Sequence, residues 1–576
     1  MYIFLFILLF LLPVTVFPQA IPITIDGEFE DWEDASILFD NDDQNSTFDD
    51  LHIQRIRGAN DDRFLFLRIE LDREITLLDN NPLILLLDTD NDPSTGYSPD
   101  NFGAELRWLF GQRQGEFFTG ATGHNIRFSN IRLRTAPTVT SSEFEIAIGR
   151  DSTPDGSTPL FQSDTVGVYI SIDGDDAYAY GTYIFDPQPV APPEPIPLER
   201  YDENDMRVLA FNAWDDKLFE TQFTEQYQRI LHTLEPDIIA FQEIWDHNAE
   251  ETAQRVDELL PGGEEFQWHA VKKDRGNVTV SRFPIVDSWQ ILVWDGNEWS
   301  DAHRLTVSLI DTREEYGSKL LLVNVHLRCC AGGEANRWLE ITALANFIDN
   351  AREPGGLIHI DEDTPIILAG DFNLVGSSGQ LAAIENDIPD WDDSGLTRVR
   401  ARQTEKRMHY TWRNDNSRFS PGKLDYIFYT GSVLSLQNHY TLQVEEMSPE
   451  QRNIYGLQYG DTQTASDHLP HVADFTFKAA TGISEHTVPD GYFLGQNYPN
   501  PFNPVTSISF AVPETTALTI TVYDMLGRKV QEVLDSTKTA GYYTVRMNGS
   551  ALSTGVYYYT LHTGSFTQTR RMILIR

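Results

Sequence analysis

Apolar residues occur in short unbroken runs in the middle of the chain, and several of these runs end in polar side chains. The clearest is IILAGDFN, residues 366–373. A strand that is buried on both faces has such a continuous apolar run. Gly370 permits a turn where a side chain would be crowded, so Asp371 and Asn373 are predicted at the C-terminal edge of a central strand. A plain strand followed by a turn explains the same residues equally well.

Strands and helices alternate over residues 205–478. Residues 206–212 form an apolar run of strand length, residues 220–234 have helical spacing, and residues 237–243 form a second apolar run. This alternation predicts a layered α/β domain rather than a β-sandwich.

The segments on either side of this domain have a different pattern. Residues 21–185 contain many short alternating stretches, such as RFLFLRIE at 63–70, between clusters of Asn, Asp, Gly and Pro, and this predicts an N-terminal β-sandwich. Residues 186–204 begin with spaced prolines, which favour an extended linker. Residues 479–576 alternate again and predict a small C-terminal Ig-like β-sandwich.

Composition sets the broad class. The chain has 576 residues and a formal net charge of -44, so several domains are expected. Such acidity favours solubility and cation binding and opposes non-specific attraction to nucleic acid or anionic membranes. A local basic groove remains compatible with it.

Residues 1–20, MYIFLFILLFLLPVTVFPQA, are predicted to be a signal peptide. Their apolar stretch is short for a membrane span and ends in proline and small residues. The usual basic residue near the start is missing, so an uncleaved anchor stays open. No later segment of the sequence is long and apolar enough to cross a bilayer.

Cys329 and Cys330 are the only cysteines. Neighbouring α-carbons are about 3.8 Å apart, which is less than a relaxed disulfide requires, so a bond between these two would be strained and easily reduced. The chain therefore has no disulfide framework and no CxxC zinc pair. A packed or redox-labile local feature is expected rather than metal ligation.

Polar side chains recur at the ends of the apolar runs in residues 205–478, and their types form a chemical set. Carboxylates, imidazoles and amides suit a hydrated divalent cation and a phosphate ester. The residues are Asn212, Glu243, His326, Asp371, Asn373, Asp425, Asp467 and His468.

The motifs FN, QE, SRFP, NVHL, GDFN, LDYIF and SDHLPH occur in this order. They resemble the endonuclease/exonuclease/phosphatase superfamily, which includes DNase I-like nucleases, abasic-site endonucleases, neutral sphingomyelinases and inositol-polyphosphate phosphatases. The resemblance covers residues 205–478 and implies a four-layer α/β sandwich with two mixed sheets and the site at one edge. The predicted fold is multidomain, with this DNase I-like domain between the N-terminal β-sandwich and the C-terminal Ig-like β-sandwich.

The resemblance also implies a metal site. Glu243 would be the main ligand of Mg²⁺ or Mn²⁺, and Asp467 and Asn212 would complete or support the site. Two acids and an amide are sufficient, because magnesium keeps several of its waters.

The remaining roles follow from the same resemblance. Asp371 would position or deprotonate the attacking water, and Asn373 would hold that water in line. His326 and His468 would donate hydrogen bonds to non-bridging phosphate oxygens, and Asp425 would fix the tautomer of His468. Either Asp371 or His468 takes the proton.

The N-terminal segment begins with ITIDGEFEDWEDA, which resembles the start of carbohydrate-binding-module-like and DOMON-like sandwich domains. A glycan is therefore a candidate partner, although Trp32 and Trp108 are more often core residues than sugar platforms. The stretch DTDNDPSTGY at 88–97 fits the same resemblance and can wrap Ca²⁺, and a solvated acidic turn explains it equally well. The candidate ligands are Asp88, Asp90 and Asp92, with Glu105 as a fourth.

The C-terminal segment contains NYPNPFNP, VYDMLGRKV, STGVYYYTL and a basic end, TRRMILIR. These motifs resemble the C-terminal sorting domain of the type IX secretion system. That implies the type IX machinery as a partner, with export through the inner and outer membranes to the cell surface or the medium. A plain Ig-like stability domain is the alternative.

Phosphodiester hydrolysis is the predicted reaction, on nucleic acid or phospholipid. Local basic patches favour a nuclease; the candidates are Lys272, Lys273, Arg275, Arg282, Arg398, Arg400, Arg402 and Arg407. In the loop after His326, contact with substrate phosphate and plain solvation explain Arg328 and Arg337 equally well. Three tryptophans within residues 289–300 would instead suit a sphingomyelinase-like phospholipid phosphodiesterase. A non-catalytic cell-surface binding protein is the third reading, and the intact Glu243, Asp371, Asp467 and His468 argue against it.

Overall fold

The computed structural model describes residues 21–41, 51–97, 102–172, 178–187, 190–262, 267–294, 299–300, 303–353, 358, 360–392, 394–478, 491–497, 500–502 and 504–575. The predicted signal peptide lies outside these residues. Within them, no helix is long and apolar enough to cross a membrane.

The described residues form two compact units. The first comprises the described chain up to Pro192, without the segments Glu74–Leu78 and Thr135–Ser141. The second comprises those two segments and the described chain from Pro193 onward.

The N-terminal segment is built almost entirely of antiparallel strands. They are β1 (Ser36–Asp40), β2 (Ile53–Asn60), β3 (Phe64–Ile75), β4 (Leu83–Asp88), β5 (Leu106–Leu109), β6 (Gln114–Thr119), β7 (Thr122–Ile126), β8 (Arg134–Ala136), β9 (Ser141–Gly149), β10 (Thr165–Ile172) and β11 (Tyr178–Ile184). They form two sheets, in the orders β1-β2-β3-β9-β8 and β11-β10-β4-β5-β6-β7. This arrangement agrees with the predicted β-sandwich.

A buried carboxylate holds the opening IDGEFEDW stretch in place. Glu145 on β9 accepts a hydrogen bond from the Trp32 indole Nε1 at 2.8 Å. Its other oxygen accepts from the backbone N–H groups of Asp26, at 2.8 Å, and Gly27, at 2.7 Å. Trp32 and Trp108 are both core residues, with 0% and 1% of their surface exposed, so neither offers a face to a sugar ring.

The middle segment contains fourteen strands and all the α-helices of the described chain. The strands are β12 (Met206–Asn212), β13 (Ile238–Gln242), β14 (His269–Val271), β15 (Val278–Ser281), β16 (Ile285–Gln290), β17 (Val293–Trp294), β18 (Trp299–Ser300), β19 (Arg304–Ile310), β20 (Leu320–His326), β21 (Ile366–Asp371), β22 (Thr397–Arg398), β23 (Asp425–Tyr429), β24 (Leu434–Thr441) and β25 (His471–Phe477). The helices are α1 (Thr224–Leu234), α2 (Ala249–Leu259), α3 (Arg313–Tyr316), α4 (Glu334–Arg352), α5 (Ser378–Asp387), α6 (Pro449–Tyr455) and α7 (Asp461–Ala465).

Two mixed six-stranded sheets form the centre of this domain, in the orders β14-β15-β13-β12-β25-β24 and β16-β19-β20-β21-β23-β22. Side chains from both sheets share one core, which includes Val208, Ala240, Leu322 and Ile367. A second core joins the first sheet to α1 and α2, and a third joins the second sheet to α4 and α5. The domain is therefore the predicted four-layer α/β sandwich, and its central strands are apolar throughout because both faces are covered.

A buried ion pair at the start of β12 connects the segment before this strand to the core. Arg207 and Asp474 are 1% and 0% exposed and make two parallel hydrogen bonds of 2.7 Å. Arg207 Nη1 also donates to the Leu198 and Leu234 carbonyls. Leu198 lies in the predicted linker and is fully buried in the core beside α1 and α2, so the end of that linker packs with the second unit.

The C-terminal segment is again a strand assembly. Its strands are β26 (Phe493–Leu494), β27 (Val505–Val512), β28 (Thr516–Asp524), β29 (Lys529–Lys538), β30 (Gly541–Asn548), β31 (Gly555–Thr563) and β32 (Thr567–Leu574). They form the sheets β26-β27-β30 and β29-β28-β31-β32. One core contains residues of both sheets, including Phe510, Ile520 and Leu561, as a small β-sandwich requires.

Candidate active site

Strand pairing brings the predicted polar residues to one edge of the two sheets. In the second sheet, His326 on β20 lies opposite Asp371 on β21, and Asp371 lies opposite Asp425 on β23. In the first sheet, Asn212 ends β12 and is paired with Gln242, the residue before Glu243. Asn212 Nδ2 lies 3.3 Å from Asp371 Oδ2, so the two sheets meet at the site.

Gly370 is required because the backbone of β20 and a side chain of the other sheet approach it closely. Its φ is 142°, and a Cβ there would lie 2.1 Å from the Val325 carbonyl oxygen and 2.9 Å from Gln242 Nε2. A glycine at this position lets β21 stay beside β20 up to its last residue, so Asp371 is delivered next to His326.

Asp371 is the hub of the site. It is 2% exposed and accepts hydrogen bonds from the Asn373 backbone N–H at 3.0 Å and from Asn373 Nδ2 at 2.9 Å. Its Oδ2 atom lies 3.5 Å from His326 Nε2 and 3.8 Å from His468 Nε2. Burial raises the pKa of Asp371 to about 7; the positive charge of His468 opposes this shift, and the Asp425 and Glu243 carboxylates add to it.

His468 and Asp425 form a buried dyad. Asp425 Oδ2 lies 2.8 Å from His468 Nδ1, and the Asp425 backbone is fixed by a 2.8 Å hydrogen bond from its N–H to Thr411 Oγ1. Burial alone would lower the pKa of His468, but the charges of Asp425 and Asp371 outweigh it and raise that pKa to about 10. His468 is therefore an imidazolium at neutral pH, with Nε2 turned toward Asp371.

His326 is neutral, whereas His468 is cationic. Burial holds its pKa well below the usual value, and the positive charges of Arg304 and His468 lower that pKa further. The site thus contains one neutral and one cationic imidazole, both beside the Asp371 carboxylate.

Glu243 and Asp467 are the partly exposed carboxylates of the site. Glu243 has φ 60°, which turns the chain sharply after β13. Its oxygens accept from Asn212 Nδ2 and from the Asp215 N–H, each at 3.1 Å. Asp467 Oδ2 accepts from Trp412 Nε1 at 3.2 Å and from Asn414 Nδ2 at 3.4 Å.

The chemistry of this donor set suits a divalent cation. Glu243 and Asp467 are both partly exposed carboxylates, as the ligands of a cation that keeps several waters need to be. The Asn212 amide presents its nitrogen to Glu243 and Asp371 and its oxygen to the Trp214 N–H at 3.0 Å; ligation through that oxygen would require the amide to turn over. As placed, Asn212 orients the two carboxylates.

A tighter group of ligand-type atoms is formed by Asp371, Asp425 and His468, whose atoms lie within 4.8 Å of one another. His468 Nδ1 is already engaged by Asp425. These three residues could hold a cation, and Glu243 and Asp467 lie outside this group.

Aromatic and basic side chains that the sequence patterns did not single out lie beside the site. The Trp245 ring is 6.2 Å from the His326 ring, and the Arg304 guanidinium lies 5.5 Å over Trp245. The Lys217 ammonium lies 3.3 Å over the ring of Trp214. Trp245 follows Glu243 by two residues and Arg304 pairs with His326 across β19 and β20, so proximity to a motif was the available signal.

Several of the predicted basic contacts have structural roles. Arg337 is fully buried and donates to the Arg328 and Cys330 carbonyls, so it does not face substrate. Arg282 pairs with Asp237 and Glu315, and Arg398 pairs with Glu385. Lys272 is nearer to the site, because its Nζ donates to the Trp245 and His247 carbonyls.

The N-terminal acidic stretch also forms a group. Ligand atoms of Asp88, Asp90 and Glu105 lie within 4.8 Å of one another, and burial raises the pKa of both Asp88 and Glu105. The Asp92 carboxylate instead accepts from the Ser94 N–H at 2.9 Å and from Ser94 Oγ at 2.7 Å. These acidic residues could hold a cation, and calcium as that cation stays a prediction.

Comparison with known proteins defines the class. Residues 209–468 match the family model described as the Endonuclease/Exonuclease/phosphatase family, and residues 496–575 match the secretion system C-terminal sorting domain. The chain therefore contains a domain that matches this family, whose members hydrolyse phosphoesters, and a type IX sorting domain, which marks the protein for export to the cell surface or the medium. No curated protein matches the chain.

Solved structures give more distant likenesses. One is ANGEL2, a 2',3'-cyclic phosphatase in complex with adenosine-2',3'-vanadate, at 16% identity and a TM-score of 0.34, covering 50% of this chain and 99% of that chain. A second is an endonuclease/exonuclease/phosphatase family protein from Leptotrichia buccalis C-1013-b, at 14% and 0.32, covering 47% and 99%. A third is the AP endonuclease LMAP from Leishmania major, at 12% and 0.29, covering 49% and 93%.

Proposed function

We propose that this protein is a secreted, magnesium-dependent phosphodiesterase that hydrolyses nucleic-acid phosphodiesters by in-line attack of water. The observation that carries the proposal is the meeting of Asp371, His326 and the His468–Asp425 dyad at one sheet edge, with Glu243 beside them. Two imidazoles, a buried carboxylate and partly exposed carboxylates are the groups that phosphoryl transfer uses.

Glu243 and Asp467 would hold the metal ion, with Asn212 orienting Glu243. Bound there, Mg²⁺ or Mn²⁺ supplies positive charge that offsets the charge developing on the phosphate in the transition state.

Asp371 suits the role of general base. Its pKa near 7 means that the carboxylate is ionised just above neutral pH yet still basic enough to take a proton from water. Asn373 donates to both Asp371 oxygens through its backbone and side-chain nitrogens, and this fixes the direction in which the carboxylate presents its lone pairs. These observations favour Asp371 over His468 as the base.

His468 and His326 suit the binding of phosphate oxygens. The raised pKa of His468 keeps it protonated, so its Nε2 is a permanent donor with a full positive charge. His326 stays neutral and contributes a hydrogen bond without placing a second cation beside the first. Asp425 holds the His468 ring with its Nε2 toward the reacting group.

The nucleic-acid assignment rests on the aromatic and basic side chains next to the site. Bases stack on indole rings, and Arg or Lys beside such rings neutralises the backbone. Trp245 with Arg304, and Trp214 with Lys217, supply these pairs. The lipid alternative has less support, because Trp289 packs against the core of the second sheet. Residues 295–298, between the other two tryptophans of that stretch, lie outside the described residues.

The test is hydrolysis by the full chain of plasmid DNA, RNA, sphingomyelin vesicles and bis-p-nitrophenyl phosphate, with Asp371→Asn as the matched variant. We expect magnesium-dependent cleavage of nucleic acid and of the nitrophenyl ester, and a loss of roughly a thousand-fold or more in the variant. Asp371→Asn keeps the size of the side chain but replaces an accepting oxygen with an N–H donor, so its thermal midpoint is measured beside that of the wild type to separate lost chemistry from lost folding. Cleavage of sphingomyelin alone would establish the lipid reading, and a fully active variant would contradict the role of Asp371.

A further inference from the structure

The two cysteines form a contacting pair in the loop after β20. Cys329 and Cys330 are both exposed and not disulfide bonded. Their sulfur atoms lie 2.9 Å apart, with the Cys330 thiol donating to Cys329. This hydrogen bond is the main reason that the pKa of Cys330 is raised to about 11. The geometry therefore makes Cys330 the hydrogen-bond donor of the pair and Cys329 the acceptor.

The backbone of this loop is anchored by a buried arginine. Arg337 on α4 is fully buried, and its Nη1 donates to the Arg328 and Cys330 carbonyls, each at 2.9 Å. Cys330 has φ 69°, a conformation that side-chain-bearing residues seldom adopt. The contact between the sulfurs is thus part of an anchored loop.

The same loop is hydrogen-bonded to the end of β21, which carries Asp371. The Leu327 N–H donates to the Asp371 carbonyl at 3.0 Å, and Asn373 Nδ2 donates to the Leu327 carbonyl at 3.2 Å. Leu327 precedes Cys329 by two residues, so a change in the loop backbone reaches the amide that orients Asp371.

We propose that Cys329 and Cys330 are a reversible redox site, which a peroxide-type oxidant converts to a vicinal disulfide, and that this conversion slows the active site through Leu327 and Asn373. The slowing rests on the proposed function, whereas the redox site does not. The exposure of both sulfurs, their contact and the bonds of the loop to Asn373 carry the inference together.

The chemistry is a two-electron oxidation of the pair. The Cys329 thiolate attacks one peroxide oxygen, the O–O bond breaks, and a sulfenic acid forms at Cys329 while hydroxide leaves. The Cys330 sulfur then attacks the Cys329 sulfur, the S–S bond forms, and water leaves with the Cys330 proton. The hydroxide takes up the proton that Cys329 lost, so two thiols and one hydrogen peroxide give one disulfide and two waters.

Location and strain make the pair suited to switching. The sorting domain sends the protein to the oxidising exterior. A bond between neighbouring residues spans α-carbons about 3.8 Å apart, shorter than the usual minimum of about 4.4 Å. The disulfide would be strained and readily reduced, and closing its small ring would pull the Cys329 backbone away from its present position.

The test is intact-mass analysis of the reduced, desalted full chain before and after one equivalent of hydrogen peroxide. We expect a monomer lighter by about 2 Da, restored by a thiol reductant. Cys329→Ser and Cys330→Ser should each gain oxygen at the remaining thiol in place of that loss. An unchanged mass in the wild type, or a disulfide-linked dimer, would overturn the vicinal assignment.

The coupling is tested by hydrolysis of bis-p-nitrophenyl phosphate in the two redox states. We expect the oxidised wild type to lose roughly ten-fold in rate and to recover on reduction, while the double variant Cys329→Ser/Cys330→Ser matches the reduced wild type and ignores peroxide. Equal rates in the two states would overturn the coupling. If the reduced protein hydrolyses nothing, the proposed function fails, and amide hydrogen exchange at residues 371–373 then decides the coupling: a redox-dependent rate supports it and an unchanged rate overturns it.

Discussion

Asp371 and His468 face each other inside the site, and their surroundings shift both pKa values upward. The pKa of Asp371 rises to about 7 through burial, with the Asp425 and Glu243 charges adding to it. The pKa of His468 rises to about 10 because the Asp425 and Asp371 charges outweigh burial. Between these values Asp371 is ionised and His468 is protonated, which is the state that a base and a phosphate-oxygen donor need.

The rate should therefore follow a bell-shaped pH profile. We expect kcat/KM to rise as pH increases through about 7, where Asp371 loses its proton, and to fall through about 10, where His468 loses its own. Asp425→Asn removes a negative charge that raises both pKa values, so both limbs should move to lower pH. Asp392→Asn, at an exposed carboxylate that caps a turn, is the control and should leave both limbs in place. Limbs that stay fixed in Asp425→Asn would contradict the coupling between these groups.

The elements that position the site are strand ends, and one glycine makes their alignment possible. β20, β21 and β23 place His326, Asp371 and Asp425 in register. This register depends on the close approach of β21 to the Val325 carbonyl at Gly370.

Gly370→Ala should therefore destabilise the domain strongly. The added Cβ would meet the Val325 carbonyl at 2.1 Å in a backbone conformation with φ 142°, and we expect a loss of about 3 kcal/mol or more in the free energy of unfolding. Gly332→Ala is the matched control, because nothing lies within 4 Å of its Cβ position. Urea denaturation monitored by tryptophan fluorescence measures both. A loss below about 1 kcal/mol in Gly370→Ala would show that β21 can shift without cost.

The apolar runs predicted a layered α/β domain and the elements that carry the site, because buried strands keep an apolar run up to their polar last residue. The four layers were implied by the resemblance to the superfamily. The sequence could not predict which surface side chains join that edge. A partly buried tryptophan such as Trp245 and a strand arginine such as Arg304 are also common away from functional sites, so nothing in the sequence distinguishes them. Arg337 looked like a substrate contact, and only the packing of α4 against the loop shows that it holds carbonyls.

At the scale of the whole molecule, the proposed function places a site for an anionic substrate in a strongly acidic chain. The net charge of -44 would repel nucleic acid at long range, so under that proposal Arg304, Lys217 and Lys272 near the site would provide the local attraction. The sorting domain is a separate two-sheet element with its own core. The chain thus combines a sorting domain for export with a domain that matches the Endonuclease/Exonuclease/phosphatase family.

The most direct test of the central claim is the metal dependence of hydrolysis by the full chain. The protein is stripped with chelator and assayed on bis-p-nitrophenyl phosphate while Mg²⁺ is added back, beside Glu243→Gln and the control Glu450→Gln, whose carboxylate is exposed on α6. We expect no rate in chelator, full recovery with magnesium in the wild type and the control, and a magnesium requirement raised roughly 10- to 100-fold or more in Glu243→Gln. Turnover that persists in chelator, or a Glu243→Gln variant that titrates like the wild type, would contradict a divalent-metal site at Glu243.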